Sequence, residues 1–180
     1  MEIDMSILFR QLLILSGLIL SFPASSWGQA IDENYYYRLS TQFRGTDMSL
    51  DVFNGGAKNN MTRLERLRDV SGQYWKFTRT QDGSYRLTTM FRGPGMCLDI
   101  YNGGRNNNQP HLTRCANVSG QFWNISAEGN WVRLTTKFRG PGMCLDIFNG
   151  GGNNNQPHLT SCSNVSGQLW LLSRTDKRTN

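Results

Sequence analysis

Histidine is nearly missing from this sequence. Two among 180 residues are too little material for a histidine-based metal cluster. Long apolar runs are missing as well, except at the extreme N-terminus, which excludes an integral membrane protein with several spans. The four cysteines are too few for a disulfide-dominated miniature scaffold, yet too many to ignore. Charge of one sign is not concentrated either: 19 Lys and Arg against 13 Asp and Glu leave a mild +6. What is present is globular material, 38% hydrophobic with 19 glycines, rather than a disordered composition.

The N-terminal apolar stretch runs from Leu12 to Phe22 behind Arg10, and is followed by Pro23 and then Gly28-Gln29-Ala30. A basic residue, a short apolar region, a helix breaker and small residues at −3 and −1 describe a secretory signal over residues 1–30, cleaved after Ala30. Glu2 and Asp4 depart from the usual basic start, and initiation at Met5 would remove both. An uncleaved anchor is disfavoured because eleven apolar residues fall short of the ~20 that span a bilayer. No cysteine follows the run, so a lipoprotein is not supported. The expected product is a secreted protein, extracellular or periplasmic, of residues 31–180. Arg10, Glu2 and Asp4 leave with the leader, so this part carries +7.

Self-comparison yields the main signal. Residues 90–123 and 137–170 align without a gap and match at 28 of 34 positions. A more diverged copy, residues 42–75, precedes them. Asp51 and Asp99 are 48 residues apart, and Asp99 and Asp146 are 47 apart. Three units, about 36–84, 85–131 and 132–178, therefore fill residues 31–180, with no room for a second domain between them.

Each unit holds four short β-rich segments between Gly/Asn/Pro clusters. In the second they are Tyr85–Phe91, Met96–Tyr101, His111–Cys115 and Gln121–Ile125. Leu98 and Ile100 alternate with Cys97, Asp99 and Tyr101, as a half-buried strand requires. Arg92-Gly93-Pro94-Gly95 and the Asn/Gly run 102–108 read as turns. No window shows a capped helical period. Twelve short strands in three repeats are too few blades for a propeller, and a solenoid would need dedicated caps. A closed pseudo-threefold barrel with a hairpin cap, which removes exposed strand edges, fits best.

Three motifs now carry a resemblance. Met96-Cys97-Leu98-Asp99-Ile100, the later Cys115, and Gly120-Gln121-Phe122-Trp123 together resemble the ricin B-type β-trefoil lectin repeat. That family's pattern is Cys-hydrophobic-Asp-hydrophobic, a second Cys, then Gln-x-Trp. Gln-x-Trp occurs three times in register, at Gln73/Trp75, Gln121/Trp123 and Gln168/Trp170. The resemblance spans about 36–175 and implies an all-β, pseudo-threefold β-trefoil that binds carbohydrate. It also implies that Trp75, Trp123 and Trp170 form an apolar centre.

Cys97 and Cys115 are 18 apart, as are Cys144 and Cys162. The repeated placement, in line with the family pattern, implies disulfides Cys97–Cys115 and Cys144–Cys162, each worth about 3 kcal/mol on a chain-entropy basis. A four-cysteine zinc site is the rival, although such sites favour closely paired cysteines. Ser49 and Leu67 take these positions in the first copy, which therefore has no bridge.

Asp51, Asp99 and Asp146 are the natural first candidates for catalysis. Glycoside hydrolysis needs two carboxylates within about 5–10 Å, and each lobe offers one repeated acid. Nor is there a Ser-His-Asp or Cys-His constellation. The chain therefore reads as no enzyme, with no cofactor and no metal. A lone carboxylate in a shallow pocket suits sugar instead, because it accepts charge-assisted bonds from neighbouring hydroxyls. A planar ring covers the C–H face, and amides or imidazoles supply the rest. The second-repeat candidates are Asp99, Tyr101, Asn102, Asn108, His111 and Gln121. Those of the third are Asp146, Phe148, Asn149, Asn155, His158 and Gln168. Asp51, Phe53 and Gln73 form a weaker set in the first. The family implies that each Gln holds its Asp in place. The competing account leaves the aspartates tying turns through backbone N–H groups and the histidines as ordinary strand-face residues.

Two departures from the family bear on this. The aromatic expected two residues before the second Cys is Thr113 or Thr160, and the Asn expected before the Gln is Gly120 or Gly167. Tyr101 and Phe148 are the candidate replacement rings. The first repeat has Arg63 and Glu65 in place of His and Thr. Four glycosylation sequons, at Asn60, Asn117, Asn124 and Asn164, include two equivalent turn positions that turn chemistry alone explains. Arg44, Arg92 and Arg139 are dispersed over the three repeats, unlike the single stripe of a nucleic-acid binder. The expected partner is a glycan or polysaccharide, not nucleic acid. The second reading is a trefoil protein–protein module, either a protease inhibitor or the targeting subunit of a toxin with a separate catalytic chain.

Overall fold

The computed structural model describes residues 31–179, so the expected leader over residues 1–30 lies outside the described residues. Twelve strands and five single-turn 3-10 segments follow one another, with no α-helix among the described residues. The first repeat supplies β1 (Tyr35–Thr41), β2 (Met48–Val52), β3 (Thr62–Arg66) and β4 (Trp75–Arg79). The second supplies β5 (Tyr85–Thr89), β6 (Gly93–Ile100), β7 (Pro110–Arg114) and β8 (Trp123–Glu128). The third supplies β9 (Trp131–Thr136), β10 (Gly140–Ile147), β11 (Pro157–Ser161) and β12 (Trp170–Arg178).

Six strands close on themselves: β1 pairs β4, β4 pairs β5, β5 pairs β8, β8 pairs β9, β9 pairs β12 and β12 pairs β1, all antiparallel. The other six form the hairpins β2–β3, β6–β7 and β10–β11. This is the β-trefoil that the triplicated sequence predicts, and its closure uses up barrel edges that would otherwise recruit other chains.

Two local expectations fail. Gly93-Pro94-Gly95, expected within a turn, opens β6, as Gly140-Pro141-Gly142 opens β10. The register slips between the pairs Thr88–Cys97 and Thr89–Gly93, so an irregularity in the ladder absorbs the glycines. Gln121, expected inside a strand, closes the 3-10 turn Ser119–Gln121, and β8 begins at Trp123.

The core is built on the three tryptophans, each fully buried. Their indole Nε1 groups donate to the carbonyls of Leu50, Leu98 and Leu145 at 2.8, 2.9 and 2.8 Å. Each also bridges to a barrel strand of its neighbourhood, in the pairs Tyr37–Trp75, Tyr85–Trp123 and Val132–Trp170. One residue per repeat thus fills the centre, satisfies its own polar group and joins barrel strands.

The repeats are also locked to one another by asparagine. Asn60, Asn108 and Asn155 have φ of 68°, 69° and 66°, a left-handed conformation that asparagine adopts more readily than most residues. Their carbonyls accept the amides of Leu112, Leu159 and Leu64, so the first repeat bonds the second, the second the third, and the third the first. The dispersed arginines add a second cycle. Arg92 reaches Asn59, Arg139 reaches Asn107 and Arg44 reaches Asn154, at 2.7, 2.7 and 2.8 Å.

Both disulfides form, Cys97–Cys115 and Cys144–Cys162, with Cα atoms 4.9 Å apart in each. No free cysteine remains among the described residues, which removes the zinc alternative. None of the described residues forms a helix long and apolar enough to cross a membrane.

Candidate functional site

Each hairpin of the cap presents its aspartate at the same place. Asp51, Asp99 and Asp146 stand opposite Arg63, His111 and His158 across their two-stranded ladders. One carboxylate oxygen accepts the next residue's amide, from Val52, Ile100 or Ile147, at 2.7 Å. The other accepts the side-chain amide of Gln73, Gln121 or Gln168, at 3.1, 3.0 and 3.1 Å. Those glutamines are almost fully buried and also bond the carbonyls of Arg66, Arg114 and Ser161. Arg38 and Arg133 brace Gln73 and Gln168 from behind. The glutamine therefore sets the carboxylate's direction, as the Gln-x-Trp resemblance implies. Each oxygen keeps lone-pair capacity for a further donor.

The glycine before each glutamine is part of this arrangement. A Cβ on Gly72, Gly120 or Gly167 would overlap Oδ1 of Asp51, Asp99 or Asp146. The departure from the family's Asn thus gives the acid a seat against bare backbone. Gly120→Ala should cost about 1–3 kcal/mol by overpacking against a pinned carboxylate. Gly95→Ala, whose added methyl meets nothing within 4 Å, should cost under about 0.5 kcal/mol. Denaturant unfolding of both variants checks this; equal costs would contradict the seat.

The rings are stacked rather than open on both faces. Tyr101 lies on His111 and Phe148 on His158, both with centroids 3.7 Å apart and nearly parallel. Burial pushes both imidazole pKa values down, against the raising pull of Asp99 and Asp146, so both rings are neutral at pH 7. In the first lobe Arg63 takes the histidine's place, its guanidinium 4.2 Å from the Phe53 ring centre.

A hollow of about 420 Å³ opens over the first lobe's acid. It is lined by Asp51, Val52, Phe53, Asn54, Arg63, Arg68, Val70, Ser71, Gly72 and Phe91. Asn54 matches the expected candidates Asn102 and Asn149, both exposed in the structure. The matching residue of Asn108 and Asn155, Asn60, is outside the hollow's lining, and all three spend their backbones on the junction between repeats. Thr113 and Thr160 pair across from Cys97 and Cys144, on the disulfide side of the hairpin.

Phe91 was not legible as a site residue, because it belongs to the next repeat. Its amide donates to Ser71 of the first lobe, and Phe43 likewise donates to Ser166 of the third, both at 3.2 Å. The sequence signal for it is Phe-Arg-Gly, which recurs at Phe43, Phe91 and Phe138. Val70, Val118 and Val165, exposed at 36%, 44% and 43%, form an apolar rim at equivalent positions. No group of three or more His, Cys, Asp or Glu that could hold a metal occurs among the described residues.

Solved structures share this fold. The mosquitocidal holotoxin superposes with a TM-score of 0.69 at 16% identity over 81% of this chain, which spans 18% of the toxin. The designed threefold-symmetric protein ThreeFoil superposes at 0.64 with 22% identity, over 77% of this chain and 97% of its own. The ricin B-like lectin of Macrolepiota procera, solved in complex with lactose, superposes at 0.63 with 17% identity, over 81% and 99%. At such identities the likeness shows the fold alone. No curated protein sequence matches. The sequence model of the ricin-type β-trefoil lectin domain, however, matches residues 37–170, which include all three aspartates, glutamines and tryptophans. The chain therefore belongs to the ricin-type β-trefoil lectin domain family, a family of carbohydrate-binding modules.

Proposed function

We propose that this protein is a secreted, non-catalytic lectin that holds carbohydrate through one aspartate-centred shallow site per lobe. The observation that carries this is the aspartate held by a buried glutamine beside a stacked ring, built alike in the second and third lobes. Asp99 and Asp146 accept sugar hydroxyls, Gln121 and Gln168 position them, and Asn102 and Asn149 reach in from the exposed turn. Tyr101 with His111, and Phe148 with His158, offer a two-ring platform to the C–H face. Asn108 and Asn155 act mainly as junction residues that hold the turn in place. Asp51, Phe53 and Gln73 repeat the plan in the first lobe.

Secretion rests on the leader expected over residues 1–30 and on two disulfides, which persist in oxidising compartments. A non-catalytic role rests on the single repeated acid of each lobe. Individually weak sites gain avidity on repeating glycans. A glycan array probed with the purified protein tests the reading. Expected are hits among multivalent glycans and no release of reducing ends on prolonged incubation. Capture of a defined protein without any glycan hit would favour the interaction-module reading.

A further inference from the structure

We infer that the first lobe takes a saccharide carrying an anionic substituent, a carboxylate or a sulfate, while the other two lobes suit neutral sugar. The inference rests on the carbohydrate-binding reading above and names the ligand class of one of its sites. The first-lobe hollow is lined by two arginines, Arg63 and Arg68, against the one acid, Asp51. At the matching positions the second lobe has His111 and Ala116, and the third has His158 and Ser163. Those imidazoles are neutral at pH 7, so neither of these lobes carries a cation at either matching position.

The two arginines are placed to receive a ligand. Arg63 lies against the Phe53 ring and forms an ion pair with Glu65, Nε to carboxylate 2.6 Å, which leaves both terminal nitrogens for another acceptor. Arg68 is exposed, yet its backbone is pinned: its amide donates to Gln73 and its carbonyl accepts from Arg38. Among the described residues its guanidinium makes no hydrogen bond or ion pair. A planar fork beside an aromatic ring matches the two oxygens of a carboxylate or sulfate. Asp51 is only 8% exposed, and its oxygens are partly spent on Val52 and Gln73. Its remaining lone pairs take ring hydroxyls. Phe91 supplies an apolar wall from the next repeat. The hollow thus separates the two tasks, with the acid for hydroxyls and the arginines for the anionic group.

The test compares retention of the purified protein on neutral, uronic-acid and sulfated oligosaccharides, with inorganic sulfate as competitor. Arg63→His with Arg68→Ala rewrites the first lobe in the residues of the second, so the fold has a precedent for both changes. The expected result is a loss of roughly tenfold or more on one or both acidic ligands, with neutral retention kept. Raising the salt should erode only the acidic arm. Arg79→Ala, an exposed arginine elsewhere, should leave all arms unchanged. Equal retention of acidic and neutral ligands, an unaffected double variant, or an equal loss from Arg79→Ala would each overturn the inference while leaving the lectin reading intact. Full competition by inorganic sulfate, with Asp51→Asn without effect, would also overturn it, because the site would then read the anion and not the sugar. Retention of no saccharide at all by folded protein would bring down the lectin reading itself.

Discussion

Replacing Asp99 and Asp146 together with alanine will lower retention on a multivalent neutral glycan about a hundredfold, and each single change will lower it about tenfold. The size follows from charge-assisted hydrogen bonds, worth about 1.5–3 kcal/mol each when made by an ionised partner. Losing both lobes that suit neutral sugar also removes the avidity. The substitution has a structural side as well, since Ile100, Ile147 and the glutamines Gln121 and Gln168 lose their acceptor. Asp99→Asn with Asp146→Asn separates the two effects. An Asn oxygen can still accept the backbone amide, but its NH2 then faces the Gln121 or Gln168 amide, donor against donor, so the charge is removed at some cost in stability. Retention should fall with this pair too, with a lowered unfolding midpoint but a folded protein. If both pairs stay folded and retain the glycan fully, the aspartates are not the sugar acceptors.

Trp123→Ala will destabilise the protein by about 3–5 kcal/mol, the range for removing a large aromatic from a packed core. Its side chain is fully buried, and its indole donates to the Leu98 carbonyl, which is left without that partner in the variant. Total stabilities of such domains are about 5–15 kcal/mol, so this one change removes about a fifth of the total at the least. Trp75→Ala and Trp170→Ala should cost alike, because each indole makes the same bond and each residue meets a barrel strand in the same way. Denaturant titration followed by far-UV circular dichroism measures this. A cost below about 1 kcal/mol would mean that the centre relaxes around the loss and that the three tryptophans do not hold the barrel together.

The triplicated sequence alone was enough for the number of strands, the threefold plan, both disulfides and the central tryptophans. Each follows from a repeated local cause: alternation every second residue and a large apolar residue after a fixed polar one in all three copies, and paired cysteines at one separation in two of them. The pairing of Asp99 with Gln121 came from the family resemblance, and the structure shows the bond itself. Local reasoning went astray where a residue acts beyond its own segment. Gly93-Pro94-Gly95 carries turn chemistry, yet the neighbouring barrel strand draws it into a ladder with a register slip. Asn108, expected as a sugar ligand through its side chain, also acts beyond its own turn: with positive φ its carbonyl accepts the Leu159 amide of the third repeat. Gly120 looked like the loss of a useful side chain, and is instead the gap into which the acid fits.

The contrast has one physical origin. Periodicity and spacing report which residues must be buried, and burial dictates how a chain of this pattern closes. They carry no record of which residues of different repeats come to face one another. Phe91 beside Asp51, the arginine-to-asparagine staples and the ring of leucine-to-asparagine bonds exist only once the barrel has closed. The acid of each site comes from one repeat, whereas part of its wall comes from the next, so the pocket is a product of closure rather than of any single copy of the motif.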